Sequence, residues 1–159
     1  GPVRILVADI SGFRGEKGSF QAGSKARIKV KLEALSATEK LAVVIQLFND
    51  DFYDVFHTSS QRLGHAPINL APQEKAECDF DVDLHLGPGT YYLGAYLYRY
   101  DTQREYDHVF PATSFVMTTD RDTRGSANLY PEVARFGISR AASLPPGLSN
   151  SPRAERKQA

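Results

Sequence analysis

The sequence predicts an all-β fold, an immunoglobulin-like antiparallel β-sandwich (jelly-roll-like) of seven or eight strands. Three observations lead there. Residues 25–35 and 75–86 alternate apolar and polar side chains with the period of two that belongs to half-buried strands. Glycine, proline, asparagine and aspartate clusters interrupt the chain at strand-length spacing. No segment carries a sustained helical period, and LSATEKLAVV offers a single turn at most. Many short strands separated by regular turns are the signature of a sandwich.

Taken in order, VRILVADI (residues 3–10) reads as a first strand with Ile5 and Val7 on one face. The Gly- and Ser-rich segment after it reads as a loop or hairpin. In the strand at 25–35, Ala26, Ile28, Val30 and Leu32 point one way, and Lys25, Arg27, Lys29, Lys31 and Glu33 the other. The more continuously apolar strand at 41–48 puts Leu41, Val43, Ile45 and Leu47 on one face, with Ala42, Val44, Gln46 and Phe48 opposite. The acidic turn Asn49-Asp50-Asp51 leads to a short strand at 54–60 and then a loop with two prolines. In the strand at 75–86, Ala76, Cys78, Phe80, Val82, Leu84 and Leu86 face in, and Glu77, Asp79, Asp81, Asp83 and His85 face out. The basic outer face of 25–35 and the acidic outer face of 75–86 predict that these strands are neighbours in one sheet, because opposite charges on adjacent strands attract. The strands at 41–48, 89–101 and 106–118 then form the other sheet.

The expected organisation is a sandwich over residues 3–118, a linker at 119–126, a last strand at 127–136 and a disordered tail at 137–159 that is poor in apolar residues. Gly1-Pro2 reads as the scar of an engineered protease cut, so the domain is expected to be excised from a longer parent. Nineteen basic and nineteen acidic residues leave no net charge. A general nucleic-acid binder would instead need a basic surplus. A single cysteine, Cys78, excludes an internal disulfide and permits a reducing, cytoplasmic setting. No apolar run is long enough to span a bilayer as a helix, and the first residues carry no signal-peptide pattern.

The chemistry concentrates in GTYYLGAYLYRYD, residues 89–101. Alternation gives it a core face of Tyr91, Leu93, Ala95 and Leu97, and an outer face of Tyr92, Gly94, Tyr96, Tyr98 and Tyr100. A row of tyrosines is flat and amphipathic, with a hydroxyl on every ring. Sugar faces rich in C–H bonds stack on such rings, while sparse polar groups bind hydroxyls. Gln46 shares the outward parity, His57 follows on the next strand, and Gly94 is expected to leave a notch for a sugar substituent. The competing readings are a dimer interface or cover by the C-terminal tail. Asp79, Asp81, Asp83 and His85 are spaced about 7 Å apart along one strand and do not converge on a metal. Cys78 sits among core residues, and the four histidines lack metal-ligand spacing. No nucleophile motif or phosphate loop is present, so no catalysis, metal or cofactor is expected.

One further pattern runs through the chain: a strand ending LF, an acidic turn, VFHTSS, PGTYYLGAYLYRYD, REYDH, SFVM and a Gly-containing linker to a last short strand. In this order the landmarks resemble the C-terminal domain of Wzt-type subunits, the ATPase components of O-antigen polysaccharide ABC transporters, over roughly residues 3–136. The resemblance implies an immunoglobulin-like, non-catalytic carbohydrate-binding module that recognises the modified non-reducing end of a finished glycan. It also implies a homodimer exchanging its last strand, here 127–136, and a parent that reaches a membrane transporter subunit at the inner membrane. ATP and Mg would serve only that parent's nucleotide-binding domain. The alternatives are an immunoglobulin-like protein-interaction or dimerisation module, or an accessory domain of a glycan-active enzyme. The residues expected to bind glycan are Tyr92, Tyr96, Tyr98, Tyr100, Gln46 and His57.

Overall fold

The computed structural model describes residues 1–118 and 131–139. Ten strands follow one another: β1 (Val3–Gly12), β2 (Ser19–Gln21), β3 (Lys25–Ala34), β4 (Thr38–Phe48), β5 (Asp54–Ser59), β6 (Ile68–Leu70), β7 (Lys75–Asp83), β8 (Gly89–Arg99), β9 (Arg104–Thr118) and β10 (Glu132–Ser139). They form a four-stranded sheet in the order β1-β3-β7-β10 and a six-stranded sheet in the order β2-β9-β8-β4-β5, with β6 pairing β4. All pairings are antiparallel except β2 with β9. The two strands beyond the expected number are the three-residue β2 and β6. Both lie in segments whose Gly and Pro content reads as loop, and three residues are too few to show alternation.

The inner faces carry the apolar sets that alternation assigns. Ala26, Ile28, Val30 and Leu32 of β3 meet Cys78, Phe80 and Val82 of β7, and across the sandwich Leu41, Val43, Ile45 and Leu47 of β4 meet Leu93, Ala95 and Leu97 of β8. Each large side chain so buried contributes about 1.5–3 kcal/mol. Phe136 and Ile138 of β10 join the same core.

The β3–β7 pairing is as the charges predict. Lys25, Arg27, Lys29 and Lys31 stand opposite Asp83, Asp81, Asp79 and Glu77, and Glu33 stands opposite Lys75. Arg27 grips Asp81 with two bonds, at 2.7 and 3.0 Å. Lys25 reaches Asp83 at 2.8 Å, and Glu77 lies within 4 Å of Lys29, Lys31 and Arg135. Asp79, which alternation turns outward, is nevertheless only 2% exposed. Its short side chain lies beneath longer neighbours, and Oδ1 has no hydrogen-bond partner among the described residues. Burial first, and the adjacent Glu77 carboxylate second, push Asp79 up to about 6.

Ile5 and Val7 do not share a face. The β1–β3 register shifts between them, so the extra residue Leu6 reverses the alternation. Val3 and Ile10 are buried on opposite sides of this bulge, and Val7 is exposed.

Candidate functional site

The outer face of the six-stranded sheet is built from three strands in register. On β8 it presents Tyr92, Gly94, Tyr96 and Tyr98. β4 lays Phe48, Gln46, Val44 and Ala42 directly opposite them in that order. On the far side of β4, His57 of β5 stands opposite Gln46. Gln46 is therefore flanked by Gly94 and His57; parity puts Gln46 on this face, and the register supplies its neighbours. β9 completes the surface with Ser114 opposite Tyr92 and His108 opposite Tyr96.

The tyrosines differ in what they offer. Tyr96 is half-buried, its ring 6.1 Å from both the Tyr98 and His108 rings. Burial raises its phenol above the ordinary value; Tyr98, Glu105 and Asp54 act in the same sense, and Arg62 opposes them. Tyr98 is only 9% exposed and packs with Ala42 and Val44 as a small second core on the outer face. Tyr100 lies just past the end of β8, is exposed, and accepts a 3.3 Å bond from Gln61 Nε2 through its hydroxyl. At this end His108 Nδ1 meets Glu105 at 3.9 Å, and across β4, beside Gln46, His57 Nδ1 meets Asp54 at 3.0 Å.

At the other end, around Tyr92, the strip is extended by phenylalanines. Between Leu93–Thr113 and Ala95–Val109 the β8–β9 register shifts, so that residues 110–112 bulge opposite Gly94. A Cβ on Gly94 would lie 3.1 Å from the Phe110 ring and 3.5 Å from Phe48. The notch expected at Gly94 is thus occupied: the missing side chain admits Phe110 rather than a ligand. Phe48 and Phe110 stand 4.5 Å apart, and Phe52 lies 4.9 Å from Tyr92 and 6.0 Å from Phe110. The turn that delivers Phe52 is clamped by Asn49, whose Oδ1 accepts from the N–H of both Asp51 and Tyr53 at 3.0 Å. Phe52 itself sits at φ 60°, in the left-handed region.

Of the residues singled out from sequence, Gln46, His57, Tyr92, Tyr96 and Tyr98 share one face, with Tyr100 at its edge. Phe48, Phe52 and Phe110 extend that face. Phe48 is legible by parity; Phe52 depends on turn geometry and Phe110 on a bulge, neither of which alternation reveals. Chemically the surface is a floor of rings with hydroxyl, amide and imidazole groups along it. Among the described residues no group of three His, Cys, Asp or Glu side chains could hold a metal ion, and no helix is long and apolar enough to cross a membrane.

Two facing sheets with a charged outer face and an aromatic one define a β-sandwich domain of immunoglobulin-like type. Comparison with known families matches residues 1–129 to the Wzt C-terminal domain. The chain belongs to the Wzt C-terminal domain family. Its fold is similar to the crystal structure of the C-terminal domain of Wzt, with TM-score 0.72 and 16% identity over 79% of this chain and 78% of that one. Looser likeness extends to a Bacteroides uniformis β-glucuronidase (TM-score 0.50, 12% identity, 68% of this chain and 14% of the enzyme). A Pseudomonas fluorescens alkylpurine DNA glycosylase, AlkC, is similar at TM-score 0.50 and 10% identity, over 74% of this chain and 30% of that protein. At such identities these likenesses establish fold alone. Comparison with curated protein sequences finds no match.

Proposed function

We propose that this domain is a non-catalytic carbohydrate-binding module that recognises the modified non-reducing end of an O-antigen polysaccharide and so licenses its export by an ABC transporter. The observation that carries the reading is the outer face of the six-stranded sheet. There a tyrosine row continues into Phe48, Phe52 and Phe110, with Gln46 at its centre between Gly94 and His57. Rings supply stacking area, and the amide, imidazole and hydroxyl groups supply orientation. Tyr96 and Tyr100 present accessible aromatic edges and hydroxyls, while Tyr98 forms the floor beneath them. Family membership supports the transporter setting: the domain acts at the cytoplasmic side of the inner membrane, joined through its parent to the transporter, and needs no cofactor of its own.

Calorimetric titration with the cognate capped oligosaccharide tests this. Tyr96→Ala is expected to lose roughly 1–3 kcal/mol, by analogy with stacking of bases on aromatic side chains. Tyr96→Phe, which keeps the ring, is expected to lose less. Unchanged binding in a folded Tyr96→Ala/Tyr92→Ala double variant would remove the platform. A second reading has its own observation: Phe52 and Phe110 are both exposed on this face, 6.0 Å apart, Phe52 by 55%. An aromatic patch of that kind also suits a protein interface. On that reading the double variant would change self-association and leave glycan binding untouched.

A further inference from the structure

A second concave feature lies away from the tyrosine strip, where the β1–β2 and β2–β3 connections meet at one end of the sandwich. It is an open cavity of about 480 Å³ bounded by Phe13, Arg14, Glu16, Gln21, Ser24 and Lys25. That is within the size range of small-molecule sites. Gln21 pairs with Thr118, four residues along β9 from Ser114, the partner of Tyr92. The cavity is therefore about 13 Å further along β9 than the partner of Tyr92, and two strands over from β8.

Its walls are built rather than incidental. Phe13 is 54% exposed, yet its ring is held: the Arg27 guanidinium sits over it at 5.4 Å, and Arg27 is itself fixed by both oxygens of Asp81. A loop phenylalanine is thereby kept as a ready stacking surface, without the ordering cost a mobile ring would incur on binding. Glu16 is fixed too, because its Oε1 accepts from the Arg14 N–H at 2.8 Å and its carbonyl accepts from the Gly12 N–H at 2.9 Å. The Ser24 hydroxyl donates to the Gln21 carbonyl at 2.7 Å, which tightens the β2–β3 turn around Gly23 at φ 83°. The side chains of Gln21 and Arg14 project from these anchored turns.

The polar set has mixed sign. Arg14 donates, Glu16 accepts, the Gln21 amide does both, and Ser24, whose O–H is already given to the Gln21 carbonyl, can only accept, while the Lys25 charge is engaged by Asp83 at 2.8 Å. Donors and acceptors around one aromatic ring fit a neutral polyhydroxyl ligand, whose hydroxyls also do both. An anionic group would meet the Glu16 carboxylate. The geometry points to a second carbohydrate site here, for a neutral hexopyranose residue, with Phe13 as stacking surface and Arg14, Glu16 and Gln21 as hydroxyl partners. It stands on its own residues and does not rest on the tyrosine platform.

The test is amide chemical-shift mapping of the whole chain during titration with methyl α-D-glucopyranoside, methyl α-D-galactopyranoside and, separately, inorganic phosphate. At least one glycoside is expected to move the amides of residues 13–25 progressively, with a dissociation constant in the millimolar range. Phe13→Ala and Gln21→Ala should each weaken that response about tenfold or more, while Tyr96→Ala leaves it unchanged. Glycosides that shift the strip but leave residues 13–25 still would overturn this site and spare the platform. Shifts at 13–25 alone would support this site and count against the platform. Tighter binding of phosphate than of either sugar, or a response that survives Phe13→Ala, would also overturn it.

Discussion

Asp79 shows how a residue can obey its strand's parity and still escape the environment parity suggests. It points outward, but Arg27, Lys29, Glu77 and Arg135 surround it and leave it buried. Its folded value, about 6, lies above the ordinary 3.8, so the folded protein holds this proton more tightly than the unfolded chain. The associated stability is complete below about pH 3.8 and is lost as pH rises through about 6, a term of up to about 3 kcal/mol. Asp79→Asn is therefore expected to raise the melting temperature at pH 8 relative to the parent and to do little near pH 4. A variant no more stable than the parent at pH 8 would contradict this. The core residues were legible because period-two alternation needs nothing beyond the strand itself. Asp79 was not, since its burial depends on how long its cross-strand neighbours are. Phe110 was equally hidden, because it reaches Gly94 only through a bulge in the facing strand.

Elements were legible in proportion to their length and regularity. The segments at 25–35, 41–48, 75–86 and 89–101 form strands close to where alternation puts them, and charge correctly pairs β3 with β7. The three-residue β2 and β6 leave no pattern to read, and the Leu6 bulge breaks a pattern that was present. The last strand is β10, Glu132–Ser139, later than the 127–136 expected from sequence; residues 127–130 of that expectation, the 119–126 linker and the tail beyond residue 139 lie outside the described residues. β10 pairs antiparallel with β7 of its own chain, and the same contacts can be made by a partner's strand. We expect a dimer built by that exchange, and deletion of residues 125–159 should convert it to a monomer in light scattering. A full-length monomer at working concentration would contradict it.

At the scale of the whole molecule, the two outer faces separate two kinds of physics. The β3–β7 face is an array of ion pairs whose basic partners are exposed and whose carboxylates are partly covered, so salt screens their outer side. The opposite face presents rings to its surroundings. Glycan affinity at that face should therefore change by less than about twofold between roughly 50 and 500 mM NaCl, because stacking carries no net charge to screen. A steep loss of affinity with salt, measured by the same calorimetry, would mean that the ligand is held by its charge. The sequence announced both faces, yet it could not show how the aromatic one ends, because turn and bulge geometry place Phe52 and Phe110 there.

The reversed pair at the end of the charged ladder has a consequence of its own. Four rungs run basic to acidic from β3 to β7, and the fifth, Glu33 opposite Lys75, runs the other way. Sliding β7 by two residues would keep the core side chains facing inward and would still match three rungs. Charge attraction alone would therefore tolerate the error. The slide in one direction brings Lys31 against Lys75, and in the other brings Glu33 against Glu77. The fifth rung works as the key on a connector: it rejects an insertion that every other contact would accept, and so carries information about alignment out of proportion to the energy it supplies.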